Sequence, residues 1–335
     1  MSALADDFDA LLFDLDGVVY VGPDAVPHAA EAISALRAGG VRCSYITNNA
    51  ARMPATVARH LRDIGIDCSV DDVVTSPQAA VTLLADLVPT GSRVLVIGGA
   101  GIADELDARG YVPVRSLDDA PVAVMQGFSP DLGWRDLAEA TFAVRAGLPW
   151  IATNPDLTFP TPRGAAPGNG AMVALVAGAA GRGPTAVAGK PEPPLLREAI
   201  ARCAAERPLM IGDRLDTDIA AGWNIAIPTL LVLTGVTEPD EILRARVSDR
   251  PTYIGADLRV LLQAYPDVTE LAPDSAYTRA VTCGDATVAL RGGVLDVLSG
   301  GEAVDILRAA CTLTWAEADA GRTLDVNPVL VAVGA

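Results

Sequence analysis

Short runs of uninterrupted apolar residues alternate along this chain with segments whose apolar positions recur at helical spacing. That is the pattern of a parallel sheet buried on both faces between helices. ALLFDL reads as the first strand, HAAEAISALRAGG as a helix closed by glycine, VRCSYIT as the next strand, and the stretch from Pro54 to Gly65 as a second helix. A separable run of units begins near TSPQAAVTLLADL, where Ser76 can N-cap a helix with Pro77 at its first position. It continues through VLVIGG, a helix to Gly110, YVPV, PVAVMQGF, the helix LGWRDLAEATFAVRAG and the strand PWIATN, and ends near Gly181. The first pattern then resumes with TAVAG, PPLLREAIARCAAE, PLMIGD, TDIAAGWNIA and PTLLVLTG. Beyond Asp257 the character changes to a short helix, two or three strands (YTRAVTC, TVALRGG, VLDVLSG) and a helix from Ala303 to Ala320.

These segments predict an α/β fold: a doubly wound parallel-sheet core over 1–77 and 182–256, an inserted α/β domain over 78–181, and a small α+β C-terminal module over 257–335. In open sheets of this kind ligands collect beyond the carboxyl ends of the strands. Four motifs stand at such ends.

DLDGVVY closes the first strand. Asp14 and Asp16, two apart in an extended chain, project the same way, and Gly17 permits a sharp departure. Crowded carboxylates are costly without a cation, so the spacing suggests a metal or a division of roles, although acidic turns after strands are common. ITNNA follows the next strand. Thr47 can donate to an anion and Asn48 and Asn49 favour a turn with outward N–H groups, while a plain helix cap is the simpler reading of this motif alone. Lys190, in AVAGKPEPP, lies just past another strand, with Pro191 suited to the first turn of the following helix. GDRLDTD follows the strand PLMI, with Asp213 at its end, Thr217 able to cap a helix, and Asp218 in that helix's first turn.

Composition sharpens the picture. The formal net charge is -17, and every basic residue apart from the two histidines is arginine except Lys190. Such a surface repels polyanions and excludes a nucleic-acid partner. An anionic substrate would need positive charge supplied locally, and a lone lysine at a strand end suits a compact ammonium better than a planar guanidinium would. No apolar run approaches the ~20 residues that span a bilayer, so membrane insertion is not expected. Five scattered cysteines without metal spacing fit a reducing, cytoplasmic setting.

Taken together in chain order, DLDGV, TNN, GKP and GDRLDTD resemble the four motifs of the haloacid dehalogenase superfamily over residues 8 to 255. The segment between Asp14 and Thr47 has room for only one helix and one strand, and the large insert falls between Thr47 and Lys190, as in the superfamily's type 2 caps. DLDGVVY, TNNA, ATNPD, the GNG helix start and GKPEPP are similar to the nitrophenylphosphatase branch, which includes phosphoglycolate and glycerol-3-phosphate phosphatases. The extra C-terminal module is similar to that of the actinobacterial glycerol-3-phosphate phosphatases.

The resemblance implies a Mg²⁺-dependent phosphatase acting on a small phosphorylated substrate. Asp14 would attack phosphorus to give an aspartyl phosphate, and Asp16 would protonate the leaving group and then activate water. Asp14, Asp213 and the backbone carbonyl of Asp16 would hold Mg²⁺, with Asp218 gripping metal-bound water. Thr47 and the N–H groups around Asn48 would bind phosphoryl oxygens, and Lys190 would neutralise phosphate and nucleophile. Asp216 reads as a solvated loop residue. Asn154, Asp156 and Arg163 are candidates for reading the leaving group, with structural roles in turns an equal alternative.

Glycerol 3-phosphate is the expected substrate. Phosphoglycolate, sugar phosphates, phosphotransfer to another acceptor, and a regulatory binding protein without turnover are the alternatives. VLVIGGAGIADEL lacks the final small residue of a dinucleotide-binding turn, because Asp104 stands there. His28 and His60 lie away from the motifs. A packing or dimerisation role suits the C-terminal module, and homo-oligomerisation stays open.

Overall fold

The computed structural model describes residues 2–161 and 163–334. Contacts divide the chain into two compact units, 1–42 with 207–335 and 43–206.

In the first unit the strands Ala10–Asp14, Pro208–Gly212, Thr229–Val232 and Tyr253–Gly255 lie side by side in that order, all parallel. Ala10–Asp14, Pro208–Gly212 and Thr229–Val232 are buried throughout, which explains their uninterrupted apolar sequences. Leu11, Leu12, Phe13, Leu209, Met210 and Ile211 have no exposed surface. Burial of each such side chain is worth roughly 1.5–3 kcal/mol. Phe13 pairs with Ile211, so the chain leaves adjacent strands at Asp14 and Asp213 on the same end of the sheet.

The C-terminal part of this unit is an antiparallel sheet, Val268–Leu271, Arg279–Cys283, Ala286–Arg291 and Val294–Ser299, followed by helices Ala303–Asp319 and Asn327–Val333. The strand Val268–Leu271 and the last helix were not anticipated. VTEL is largely exposed and carries no apolar alternation, and the seven-residue helix is too short to show a period. This module is not a free-standing appendage. Val281, Val288, Leu307 and Cys311 share one hydrophobic cluster with Leu231, Ile242 and Ile254.

In the second unit Arg42–Thr47 pairs in parallel with Val73–Thr75. A five-stranded parallel sheet follows, ordered Ala186–Val187, Trp150–Ala152, Ala123–Gln126, Arg93–Ile97, Val112–Val114. TAVAG, expected to resume the first sheet, instead extends this one beside Trp150–Ala152. Two residues of pairing carry too little pattern to announce their partner.

Three helix starts also differ from expectation. Thr75, not Ser76, caps Ser76–Ala85, because the Ser76 hydroxyl is committed to the carbonyl of Asn48 at 2.8 Å. Pro193, not Pro191, opens the helix Pro193–Cys203, and the Lys190–Pro191 bond is cis. Thr217 caps nothing and lies inside a π-helical turn. No helix among the described residues is long and apolar enough to cross a membrane.

Candidate active site

The first unit brings three of the predicted acidic residues together. Asp14, Asp213 and Asp218 each place a carboxylate oxygen within 4.8 Å of the others. Their exposures are 9, 1 and 0 %, so three negative charges are crowded out of water. That arrangement is strongly unfavourable unless a cation or protons neutralise it.

Local backbone explains how the cluster forms. Gly17, at φ +86°, turns the chain away after Asp14, and a Cβ there would stand 2.5 Å from Asp213 Oδ2. Gly235 approaches so closely that a Cβ would stand 1.8 Å from the same oxygen. A Cβ on Gly212 would stand 2.1 Å from Asp218 Cβ. Swinging Asp218 back over Gly212 requires a wider turn than an α-helix start gives. Leu215–Ile219 is accordingly π-helical, with Asp218 Oδ2 accepting from the Arg214 N–H at 3.1 Å. Asp16 is exposed beside this cluster in sequence, and the turn is held by Gly17 N–H donating to the carbonyl of Tyr20 at 2.9 Å. Asp216 is 71 % exposed and paired with Arg214 at 2.9 Å, as expected of a loop residue.

The second unit brings Asn48, Asn154, Asp156 and Lys190 into one hydrogen-bonded network, with Thr47 next to Asn48 in the chain. Thr47 Oγ1 accepts from the Asn49 N–H at 3.0 Å. Asn48 Oδ1 accepts from the Lys190 N–H at 2.8 Å, and its Nδ2 donates to the Lys190 carbonyl at 2.9 Å. The same Nδ2 lies 3.2 Å from both carboxylate oxygens of Asp156. Asn154 Nδ2 donates to the Asn48 carbonyl at 2.7 Å. The Asn48 side-chain amide is thus fully engaged. Lys190 is 2 % exposed, rare for lysine and costly unless its charge is used.

Asn154 and Asp156, ambiguous from the sequence, have a definite place here. The GNG helix start explains it: Gly170 N–H donates to the Asp156 carbonyl at 2.8 Å, and a Cβ on Gly170 would stand 2.0 Å from the Pro155 oxygen. Arg163 lies at the turn of the Thr158–Thr161/Gly164–Pro167 hairpin, where its N–H donates to Thr161 Oγ1. The loop Thr234–Thr237 against Asp213 carries no sequence signal and was missed.

A family profile described as haloacid dehalogenase-like hydrolase matches residues 11–112, and one described as HAD-hydrolase-like matches 187–261. A D-glycerol 3-phosphate phosphatase from Mycobacterium tuberculosis is 43 % identical over 315 residues, covering 94 % of this chain and 88 % of the relative. The chain belongs to the haloacid dehalogenase-like hydrolases. An acid sugar phosphatase from Staphylococcus saprophyticus is 37 % identical over 77 % of the chain and 98 % of its own length. Crystal structures agree with the fold. A glycerol phosphate phosphatase from M. tuberculosis in complex with magnesium superposes with a TM-score of 0.83 at 42 % identity, covering 94 % of this chain and 93 % of that one. A p-nitrophenyl phosphatase from Archaeoglobus fulgidus gives 0.72 at 28 % identity, over 76 % and 98 %.

For a haloacid dehalogenase-like hydrolase the acidic cluster has the right chemistry for a hard divalent cation, which takes carboxylate and carbonyl oxygens. Gly17 and Gly235 both lie against the Asp213 carboxylate, where a Cβ on either would collide with Oδ2.

Proposed function

We propose that this chain is a Mg²⁺-dependent phosphatase that hydrolyses a small organic phosphate through an aspartyl phosphate on Asp14. The observation that carries the reading is the convergence of Asp14, Asp213 and Asp218. Asp14, Asp213 and the backbone carbonyl of Asp16 would hold Mg²⁺, with Asp218 orienting its bound water. The ion supplies charge neutralisation that lets an anionic nucleophile approach an anionic ester.

The chain's own residues do the rest. A carboxylate oxygen of Asp14 forms a bond to phosphorus as the bond to the leaving oxygen breaks, and Asp16 gives that oxygen its proton. Asp16, now a carboxylate, takes a proton from water, whose oxygen attacks phosphorus and releases inorganic phosphate and Asp14. Exposure of Asp16, in contrast to its buried neighbours, suits a group that exchanges protons with solvent. Thr47 and the Asn48 N–H bind phosphoryl oxygens, and Lys190 offsets their charge.

Glycerol 3-phosphate is the proposed substrate. The mycobacterial relative aligns over 94 % of the chain and so through the C-terminal module, whereas the acid sugar phosphatase aligns over 77 %. Residues 78–181 are the cap of this reading, the part of the chain whose loops would select the alcohol. Five scattered, free cysteines support a cytoplasmic setting. A phosphate-release screen over glycerol 3-phosphate, phosphoglycolate and sugar phosphates, with and without Mg²⁺, tests the reading. Release should require Mg²⁺ and vanish in Asp14→Asn. Turnover by that variant removes the nucleophile, and preference for a sugar phosphate removes only the substrate.

A further inference from the structure

The segment Thr234–Thr237 reaches the acidic cluster at three points. Val236 N–H donates to Asp213 Oδ2 at 2.9 Å, Thr237 Oγ1 to the Asp213 carbonyl at 2.6 Å, and Thr234 Oγ1 to the Gly17 carbonyl at 2.6 Å. With Gly235 against the carboxylate itself, one short loop fixes Asp213 and the turn that follows Asp14. The bond to Val236 occupies one face of Oδ2 and so sets which way the carboxylate points.

What holds the loop is the C-terminal module. Two residues after Thr237 the chain enters the helix Pro239–Leu243, where the Ile242 carbonyl accepts from the Ala245 N–H at 3.2 Å and, with two lone pairs, can take a second donor. Trp315, on the helix Ala303–Asp319, donates its indole N–H to the carbonyl of Ile242 at 3.0 Å. Arg250 lies 5.6 Å over the Trp315 ring and pairs with Asp319 at 2.8 Å, fixing the indole's orientation. Ile242 and Leu243 are buried in the cluster that contains Leu307 and Cys311 of the same long helix.

We propose that Thr234 and Thr237, through the backbone carbonyls of Gly17 and Asp213, position the chain that carries the metal carboxylate, and that Trp315 of the C-terminal module holds their loop in register. The inference rests on the metal-dependent function proposed for the acidic cluster, and it makes the module a brace that stiffens the site from outside the sheet. Groups that orient a metal ligand through a hydrogen bond commonly change metal affinity 10–100-fold when removed. Val236 N–H makes that bond directly; Thr237→Val deletes, at nearly constant volume, the bond to the Asp213 backbone carbonyl that holds Val236 in place, and Trp315→Phe deletes the indole N–H while keeping an aromatic ring.

Titration calorimetry of Mg²⁺ into the full-length chain, alongside thermal melting, tests this. Thr237→Val should weaken Mg²⁺ binding about tenfold or more, Thr237→Ser should restore it, and Trp315→Phe should weaken it in the same direction. The Mg²⁺ concentration for half-maximal turnover should rise in parallel, while KM for the phosphate ester at saturating Mg²⁺ stays put. If Thr237→Val and Trp315→Phe bind Mg²⁺ like the parent while Asp213→Asn does not, the positioning role is wrong and the metal site stands. If Asp213→Asn binds like the parent, the metal reading itself fails. Melting without a change in affinity overturns the positioning role and leaves a structural one.

Discussion

Asn48 grips the backbone of Lys190 with both ends of its amide, accepting from the N–H at 2.8 Å and donating to the carbonyl at 2.9 Å across 142 positions of sequence. An asparagine next to Thr47, the threonine proposed to bind phosphate, therefore acts on the lysine, fixing where a buried ammonium is delivered. Asn48→Ala should lower kcat about 100-fold, the scale on which a misplacement of about 1 Å acts, with a smaller change in KM. Asn48→Asp should be worse, because it sets a carboxylate beside Asp156. Steady-state kinetics on p-nitrophenyl phosphate, with melting curves for both variants, check the order.

Lys190→Arg should not rescue function. Lys190 is 2 % exposed, so a wider planar guanidinium must displace its buried surroundings and cannot present the compact charge of an ammonium. Loss of kcat by about 100-fold or more is expected, and activity within a few-fold of the parent would refute the role given to the ammonium.

Two glycines of one helix should respond in opposite directions. Alanine normally favours a helix over glycine by about 1 kcal/mol. In Asn169–Ala180 a Cβ at Gly178 meets nothing within 4 Å, so Gly178→Ala should raise the melting temperature. At Gly170 a Cβ would stand 2.0 Å from the Pro155 carbonyl oxygen, and overpacking of about 1–3 kcal/mol outweighs the propensity gain. Gly170→Ala should therefore melt earlier and loosen the Asn154–Asp156 turn.

The C-terminal module carries an acid-sensitive contribution. Hydrogen bonding from Arg322 holds the Glu317 carboxyl below its ordinary value of 4.5, and Arg279 does the same to Glu270. A folded value below the unfolded one means stability that is present above about pH 4.5 and is lost as pH falls through the depressed values. Glu317→Gln should melt earlier than the parent at neutral pH, and the gap should narrow in acid. A gap that does not depend on pH would contradict the assignment.

The carboxylate cluster was legible because each acidic motif is local and ends an apolar strand, and strands buried on both faces announce themselves as ALLF, PLMI and TLLV. The π-helical turn at Leu215–Ile219 was not legible: Thr217 satisfies every local rule for a cap, and only the approach of Asp218 to Gly212 overrules it. Side chains of Asn154 and Asp156 meet Asn48 across more than 100 residues, a pairing that no window of sequence contains. Thr234 and Thr237 were invisible for the same reason. Their hydroxyls matter through what lies opposite, not through any motif of their own.

The nucleophile can be identified chemically. Borohydride reduces an acyl phosphate to the alcohol, so quenching the enzyme during turnover of a phosphate ester and mapping its peptides by mass spectrometry reports which carboxylate carried phosphorus. Homoserine at position 14, absent without substrate, is the predicted result. Homoserine at another aspartate, or none anywhere during active turnover, would remove Asp14 as the nucleophile.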